Sequence, residues 1–181
     1  MTTPHRVEDE LLDVVDEHDR VIGPEKRGLI HARRLRHRAV HVLVFNAKGQ
    51  LFLQRRAKTK DTFPDRWDSS CSGHVDTGEE YLQCAVRELG EELGLLGMAP
   101  DALELLFKID SREQTGQEFV HVYRTEHDGP FTLHPTEISR GEFFETTEVT
   151  RQISENADDF APAFTLLWSM LQSASGLEPR G

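Results

Sequence analysis

One window, residues 73–95, constrains this chain more than any other. It reads Gly73, five residues, Glu79, seven more, and then Arg87-Glu88-Leu89-Gly90-Glu91-Glu92-Leu93-Gly94-Leu95. Leu82, Ala85, Val86, Leu89 and Leu93 recur at helical spacing, so 79–93 is predicted to be an amphipathic helix, led in by Asp76, Thr77 and Gly78 and stopped by Gly94. At about 100° per residue, Glu88, Glu91 and Glu92 fall within one arc of roughly 100°, beside the apolar stripe and not opposite it. Three carboxylates so crowded repel one another and destabilise an isolated helix. The crowding makes chemical sense where a hard divalent cation binds, because magnesium prefers oxygen ligands such as carboxylates and phosphates. Arg87 points away from the arc, toward the side that also holds Glu79, and reads as a buried or half-buried orienting partner and not as a substrate contact. An ordinary surface helix with a Glu-rich outer face accounts for the amphipathicity but not for Gly73, Arg87 and Gly94 at their offsets.

The residue types and spacing over 73–95 match every fixed position of the Nudix box, and the chain resembles the Nudix hydrolase family. The resemblance implies an α/β fold, the Nudix α/β/α sandwich with a mixed central sheet. It implies hydrolysis of a diphosphate linkage with Mg2+ as cofactor and Mn2+ as an alternative. It further implies metal binding by Glu88, Glu91, Glu92 and the carbonyl of Gly73, and structural support of the box by Glu79 and Arg87. Catalysis would fall to Glu91, Glu92 and a carboxylate outside the box. Glu118, at the start of a later predicted strand, is the first candidate for that acid and Glu113 the second. The chemistry is coherent: a diphosphate repels both an attacking water and a departing phosphate, and cations on the phosphate oxygens lower that barrier.

A looser resemblance, from about 9 to 144, is to the Nudix branch that includes isopentenyl diphosphate isomerase. It rests on 37–49, on Gln54-Arg55-Arg56 with Lys58, and on Trp67 followed by Ser72-Gly73-His74. In that isomerase histidines and glutamates hold the metal; His37 and His74 match two of its histidine positions and Glu118 an acid position. The isomerase also needs a Cys immediately before the Gly-His pair. Here Ser72 stands there and Cys71 comes one residue earlier, which in an extended strand turns the thiol to the opposite face. With an intact box and a displaced thiol, the sequence favours hydrolysis of a nucleoside diphosphate, or of a nucleoside diphosphate linked to another group. Isomerisation of prenyl diphosphates is the alternative, and a non-enzymatic ligand sensor, which carries a degraded box, ranks last. In a hydrolase His37, His41 and His74 read as hydrogen-bonded strand or loop histidines ahead of metal ligands.

The rest of the sequence sets the frame. Residues 11–15 and 20–22 predict an N-terminal hairpin over about 8–23, and 27–38 a basic loop with at most one helical turn. Residues 40–45 and 50–54 predict a hairpin about the turn at 46–49. Strands are predicted over 67–72, 104–109, 118–125 and 141–144, and an amphipathic C-terminal helix over about 158–173, followed by a frayed tail. With 181 residues and neither repeat nor linker, one domain over 1–181 is expected. A net charge of -11 disfavours nucleic acid and anionic membranes as partners. Yet eleven of the 21 basic residues lie between positions 26 and 60, without an Asp or Glu among them, which suggests one side of an anion site. Arg55, Arg56 and Lys58 are the candidate substrate contacts. No apolar run approaches the roughly 20 residues of a membrane span, and there is no basic, apolar leader. The two cysteines form no Cys-x-x-Cys pair, so a cytoplasmic protein acting on a small-molecule diphosphate is expected, with a homodimer compatible.

Overall fold

The computed structural model describes residues 7–174. An antiparallel hairpin comes first, β1 (Leu11–Val15) and β2 (Val21–Lys26), reversing where Asp19 takes a φ of 60°. A short helix α1 (Arg27–Arg33) leads into β3 (His37–Phe45), the beam of the main sheet. The other strands are β4 (Leu51–Arg56), β5 (Trp67–Asp68), β6 (Cys71–His74), β7 (Glu104–Ile109), β8 (Glu118–Glu126) and β9 (Ile138–Phe144). They run in the order β5-β4-β3-β8-β7, with β6 paired to β3 and β9 to β4. The sheet is mixed because β3 and β8 pair in parallel while the other pairs are antiparallel.

Helices α2 (Tyr81–Leu93), α3 (Thr146–Glu155) and α4 (Pro162–Ala174) flank the sheet. The period-2 alternation of β3 divides its side chains between two cores. Val40, Val42 and Val44 pack with Cys84, Ala85, Leu89 and Leu93 of α2. Ala39 and Leu43 pack with Val149 of α3 and with Phe164, Leu167 and Trp168 of α4. β3 is thus buried on both faces, which is why its sequence is nearly all apolar where it is not histidine. Among the described residues no helix is long and apolar enough to cross a membrane.

Several elements differ from the sequence expectation. The basic stretch after the hairpin is a two-turn helix closed by Arg34 at φ 54°, and β2 runs on to Lys26. The C-terminal helix starts at Pro162, not near 158; Ala157–Asp159 is a separate 3-10 turn, and proline suits a first helical position because it has no N–H to leave unbonded. Helix α3 was not expected, since its inward face carries little beyond Val149 and Ile153. The tail after Ala174 lies outside the described residues.

Gly141 in β9 is required by a close approach: a Cβ there would lie 2.3 Å from Cζ of Phe52, whose ring is wedged against Phe131 and Phe143 at 4.4 and 5.3 Å. Gly141→Ala is therefore expected to destabilise the protein by about 1 to 3 kcal/mol. Gly23, with open space around it, is the control position. Equal thermal unfolding of the two alanine variants would show that Phe52 yields freely.

Candidate active site

Helix α2 is set by its ends. Glu80 and Gln83 form a capping box, and Gly94, at φ 72°, closes the last turn by donating its N–H to the carbonyl of Gly90. Between these ends Arg87 organises the polar face. Its Nε and Nη2 each reach a Glu79 carboxylate oxygen at 2.9 Å, a bidentate pair, and Nη2 also donates to the His74 carbonyl at 3.0 Å. Its Nη1 donates to Glu88 at 2.9 Å and to Glu91 at 3.2 Å. The arginine therefore ties helix to strand and also stands among the three box carboxylates, closer to them than the helical projection suggested.

Glu88 and Glu92 are buried and Glu91 is exposed. One oxygen of Glu92 accepts from Gln54 Nε2 at 2.9 Å and from the Ser72 N–H at 3.1 Å. Burial pushes the Glu92 carboxyl up to about 7 despite those two donors. Burial, and then the neighbouring Glu92, pushes Glu88 well above the usual carboxylate range. Glu88 packs so tightly on Gly73 that a Cβ there would fall 1.9 Å from Glu88 Oε1. A strand backbone and three carboxylates are thus pressed together with a single guanidinium, that of Arg87, bonded to two of them, a donor set of hard oxygens that fits a magnesium-type cation.

A second cluster faces the same cleft. His31 from α1, His37 from β3 and His74 from β6 have ring centroids 5.1 to 5.2 Å apart. One ligand atom from each lies within 4.8 Å of the others. Glu118, opposite His37 in the parallel ladder, accepts from His74 Nε2 at 3.1 Å and lies 3.5 Å from His37 Nε2. Buried Nε2 atoms of His31 and His37 have no hydrogen-bond partner among the described residues, the condition expected of nitrogens arranged to ligate. Burial pushes His31 down to about 4, with the other two histidines adding to the effect. Burial also lowers His74, against the pull of Glu118. Burial would raise Glu118, but His37 and His74 hold it well below the usual carboxylate range.

The box carboxylates and, from the second cluster, His31, His74 and Glu118 line one cleft of about 800 Å³ with Arg27, Arg56, Lys60 and His41, whereas His37 is buried and not part of the lining. Of the three basic residues expected to meet substrate, Arg56 is in the cleft, where it bonds Asp68 at 3.2 Å and the Thr62 carbonyl at 3.0 Å. Arg55 and Lys58 are not among the lining residues. Strand alternation turns Arg55 to the other face, where it pairs with Asp65 and Asp159 at 3.0 and 2.7 Å, and Lys58 is exposed near Asp65. Arg27, which is buried, and Lys60, which pairs with Glu137, were counted in the basic run but not singled out. Neither His31 nor Gln54 was singled out either; His31 and His37 lie on different elements, a short helix and a strand, so no single period links them. Glu113 lines the cleft but is largely exposed and pairs with Arg34 at 2.9 Å. Cys71 is fully buried in the core under α2, whereas its neighbour Ser72 lines the cleft.

The protein-family model for the NUDIX domain matches residues 35–164. The chain belongs to the Nudix family. This Nudix protein is 35% identical over 157 residues to an uncharacterised Nudix hydrolase of Yersinia pestis, a match covering 87% of this chain and 85% of that one. It is 31% identical over 159 residues to an isopentenyl-diphosphate Delta-isomerase of Pectobacterium atrosepticum, covering 87% and 89%. The crystal structure of DR0079 from Deinococcus radiodurans matches with a TM-score of 0.70 at 32% identity, over 81% of this chain and 90% of that one. The Nudix fold and the isomerase-like branch implied by the sequence are therefore both shown.

Proposed function

We propose that this Nudix protein is a cytoplasmic, magnesium-dependent hydrolase that cleaves the diphosphate linkage of a nucleoside diphosphate or of a nucleoside diphosphate joined to another group. The observation that carries this is the meeting, in one cleft, of the box carboxylates on Gly73 with the cations Arg27, Arg56 and Lys60. Glu88, Glu91, Glu92 and the Gly73 carbonyl would hold Mg2+, with Mn2+ as an alternative. When bound, the ion neutralises phosphate oxygens and acidifies a water. Arg27, Arg56 and Lys60 attract the diphosphate and fix it against the carboxylate wall. Glu92, held in place by Gln54 and the Ser72 N–H, is the better placed group to take a proton from an attacking water. Glu118 is a weaker base and orients His74 instead. Glu79 keeps Arg87 in place, and Arg87 keeps Glu88 and Glu91 from turning away.

A second reading has its own observation: the three histidines with Glu118 suit a more nitrogen-preferring metal, as in an isomerase of prenyl diphosphates. That chemistry needs a thiol or equivalent acid facing the substrate. Cys71 faces the α2 core, where burial raises its thiol well above the ordinary value.

The two are separated by incubating purified protein with Mg2+ or Mn2+ and a panel of diphosphates. The expected result is release of phosphate-containing products from at least one nucleoside diphosphate derivative, unchanged within a few-fold in Cys71→Ala, and no rearrangement of isopentenyl diphosphate. Alanine is chosen because serine would bury an unpaired hydroxyl. Dimethylallyl diphosphate formed by the unaltered protein and lost in Cys71→Ala would replace the hydrolase reading with the isomerase.

A further inference from the structure

Most of the residues lining the cleft are polar, and its apolar side chains are Ala39, Val40, Phe63, Ala161, Pro162 and Ala163. Phe63 is the only Phe, Tyr or Trp among the described lining residues. It is 45% exposed and held at φ 46°, a left-handed conformation that a bulky side chain rarely adopts. The loop is fastened on either side of it. Arg56 donates to the Thr62 carbonyl from Nη2 at 3.0 Å and from Nε at 3.2 Å, and Asp65 accepts from Arg55 at 3.0 Å. The same Arg56 donates to Asp68, and the Ala161 N–H donates to the Trp67 carbonyl at 2.8 Å, which brings the run of small residues beside Asp68. His41, also in the lining, has Nδ1 at 2.7 Å from Ser69 Oγ, while its other ring nitrogen makes no hydrogen bond among the described residues.

A half-exposed aromatic ring with the Arg66 guanidinium over one face, 5.5 Å from its centroid, a strip of small side chains and an unused ring nitrogen thus line one cleft with Arg56, itself a candidate phosphate contact. We infer that Phe63 and residues 161–163 form the seat of the organic group attached to the diphosphate, and that this seat selects a planar heteroaromatic base over a branched hydrocarbon chain. The inference rests on the diphosphate reading above. A flat ring stacks on the face of Phe63 opposite Arg66 and slides over small residues, and its polar edge gives His41 a partner. A prenyl chain would cover that nitrogen and the Arg56–Asp68 pair without supplying one.

The test is equilibrium titration, with Mg2+, of the α,β-methylene analogues of adenosine and cytidine diphosphates, of methylenediphosphonate as the base-free probe, and of isopentenyl diphosphate. Phe63→Ala and Phe63→Leu are expected to weaken at least one nucleotide analogue by about tenfold or more while leaving methylenediphosphonate within twofold, and Phe63→Trp to retain tight binding. Full retention in Phe63→Leu, equal weakening of the base-free probe, or tighter binding of isopentenyl diphosphate than of either nucleotide analogue would overturn the proposal. So would failure of both nucleotide analogues to bind. Protein that binds the analogues through Phe63 yet hydrolyses no diphosphate would refute the hydrolase reading and leave the seat standing.

Discussion

Replacing Glu92 with Gln is expected to lower turnover of a diphosphate substrate by roughly 10²- to 10⁴-fold and, at the same time, to raise the thermal stability of the metal-free protein above neutral pH. Both effects come from one buried carboxyl. Glutamine keeps an oxygen to accept from Gln54 and Ser72, so the local hydrogen bonds survive. It can neither bind a cation by charge nor take a proton. In the native metal-free protein burial raises this carboxyl from 4.5 to about 7. A raised value means the protonated form is favoured by folding, so its stabilisation is complete below the unfolded value near 4.5 and is lost as pH rises through about 7. The melting temperatures of unaltered protein and Glu92→Gln should therefore coincide near pH 4 and diverge toward pH 8, with the variant higher. Saturating Mg2+ should narrow the gap by stabilising the protein that retains the carboxylate more than the variant. Near-normal turnover by Glu92→Gln in saturating Mg2+ would remove Glu92 from the catalytic set.

Glu118→Gln should cost about 10- to 100-fold in turnover, whereas Glu113→Gln stays within a few-fold. The two acids lie close in sequence but in different environments. Glu118 is enclosed by His37 and His74 and held ionised by them, so an amide there removes the one carboxylate bonded to that cluster among the described residues. Glu113 is a surface group paired with Arg34, and exposed pairs of this kind contribute little. Steady-state rates of the two variants at matched metal concentration decide it. A larger loss for Glu113 would move the second acid to the 3-10 turn at Glu113–Thr115. No loss for either would leave the box glutamates acting alone.

The carboxylate wall was legible in the sequence because one helix carries it: apolar residues at helical spacing, Gly94 as the stop and three glutamates in one arc define α2 with little ambiguity. The histidine wall was legible only in part. His31 sits on a seven-residue helix whose one buried apolar residue is Ile30, too little for periodicity to reveal, so the segment read as loop. His37 meets Glu118 through a parallel pairing, and no local pattern encodes which distant strand a parallel partner is. The adjacent arginines illustrate a further limit. Composition marked Arg55 and Arg56 alike as anion contacts, and only the direction of the strand sends one to the cleft and the other to Asp65 and Asp159. The same alternation, not applied to Arg55, was decisive for Cys71, whose burial follows from a one-residue offset from Ser72.

The parallel ladder between β3 and β8 also bears on how the chain reaches this state. β3 is nine residues long and buried on both faces, and its parallel neighbour does not begin until Glu118. A chain emerging from the ribosome therefore displays Val40, Val42, Leu43 and Val44 on a strand with one edge unpaired until more than half of the protein has been made. Pairings this distant in sequence slow folding, because a long loop must close before any contact repays it. During that interval the open edge of β3 is the segment most exposed to association with other unfinished chains. Slow refolding and concentration-dependent loss of yield are the kinetic signature of placing both histidine and carboxylate walls around one central, late-completed strand.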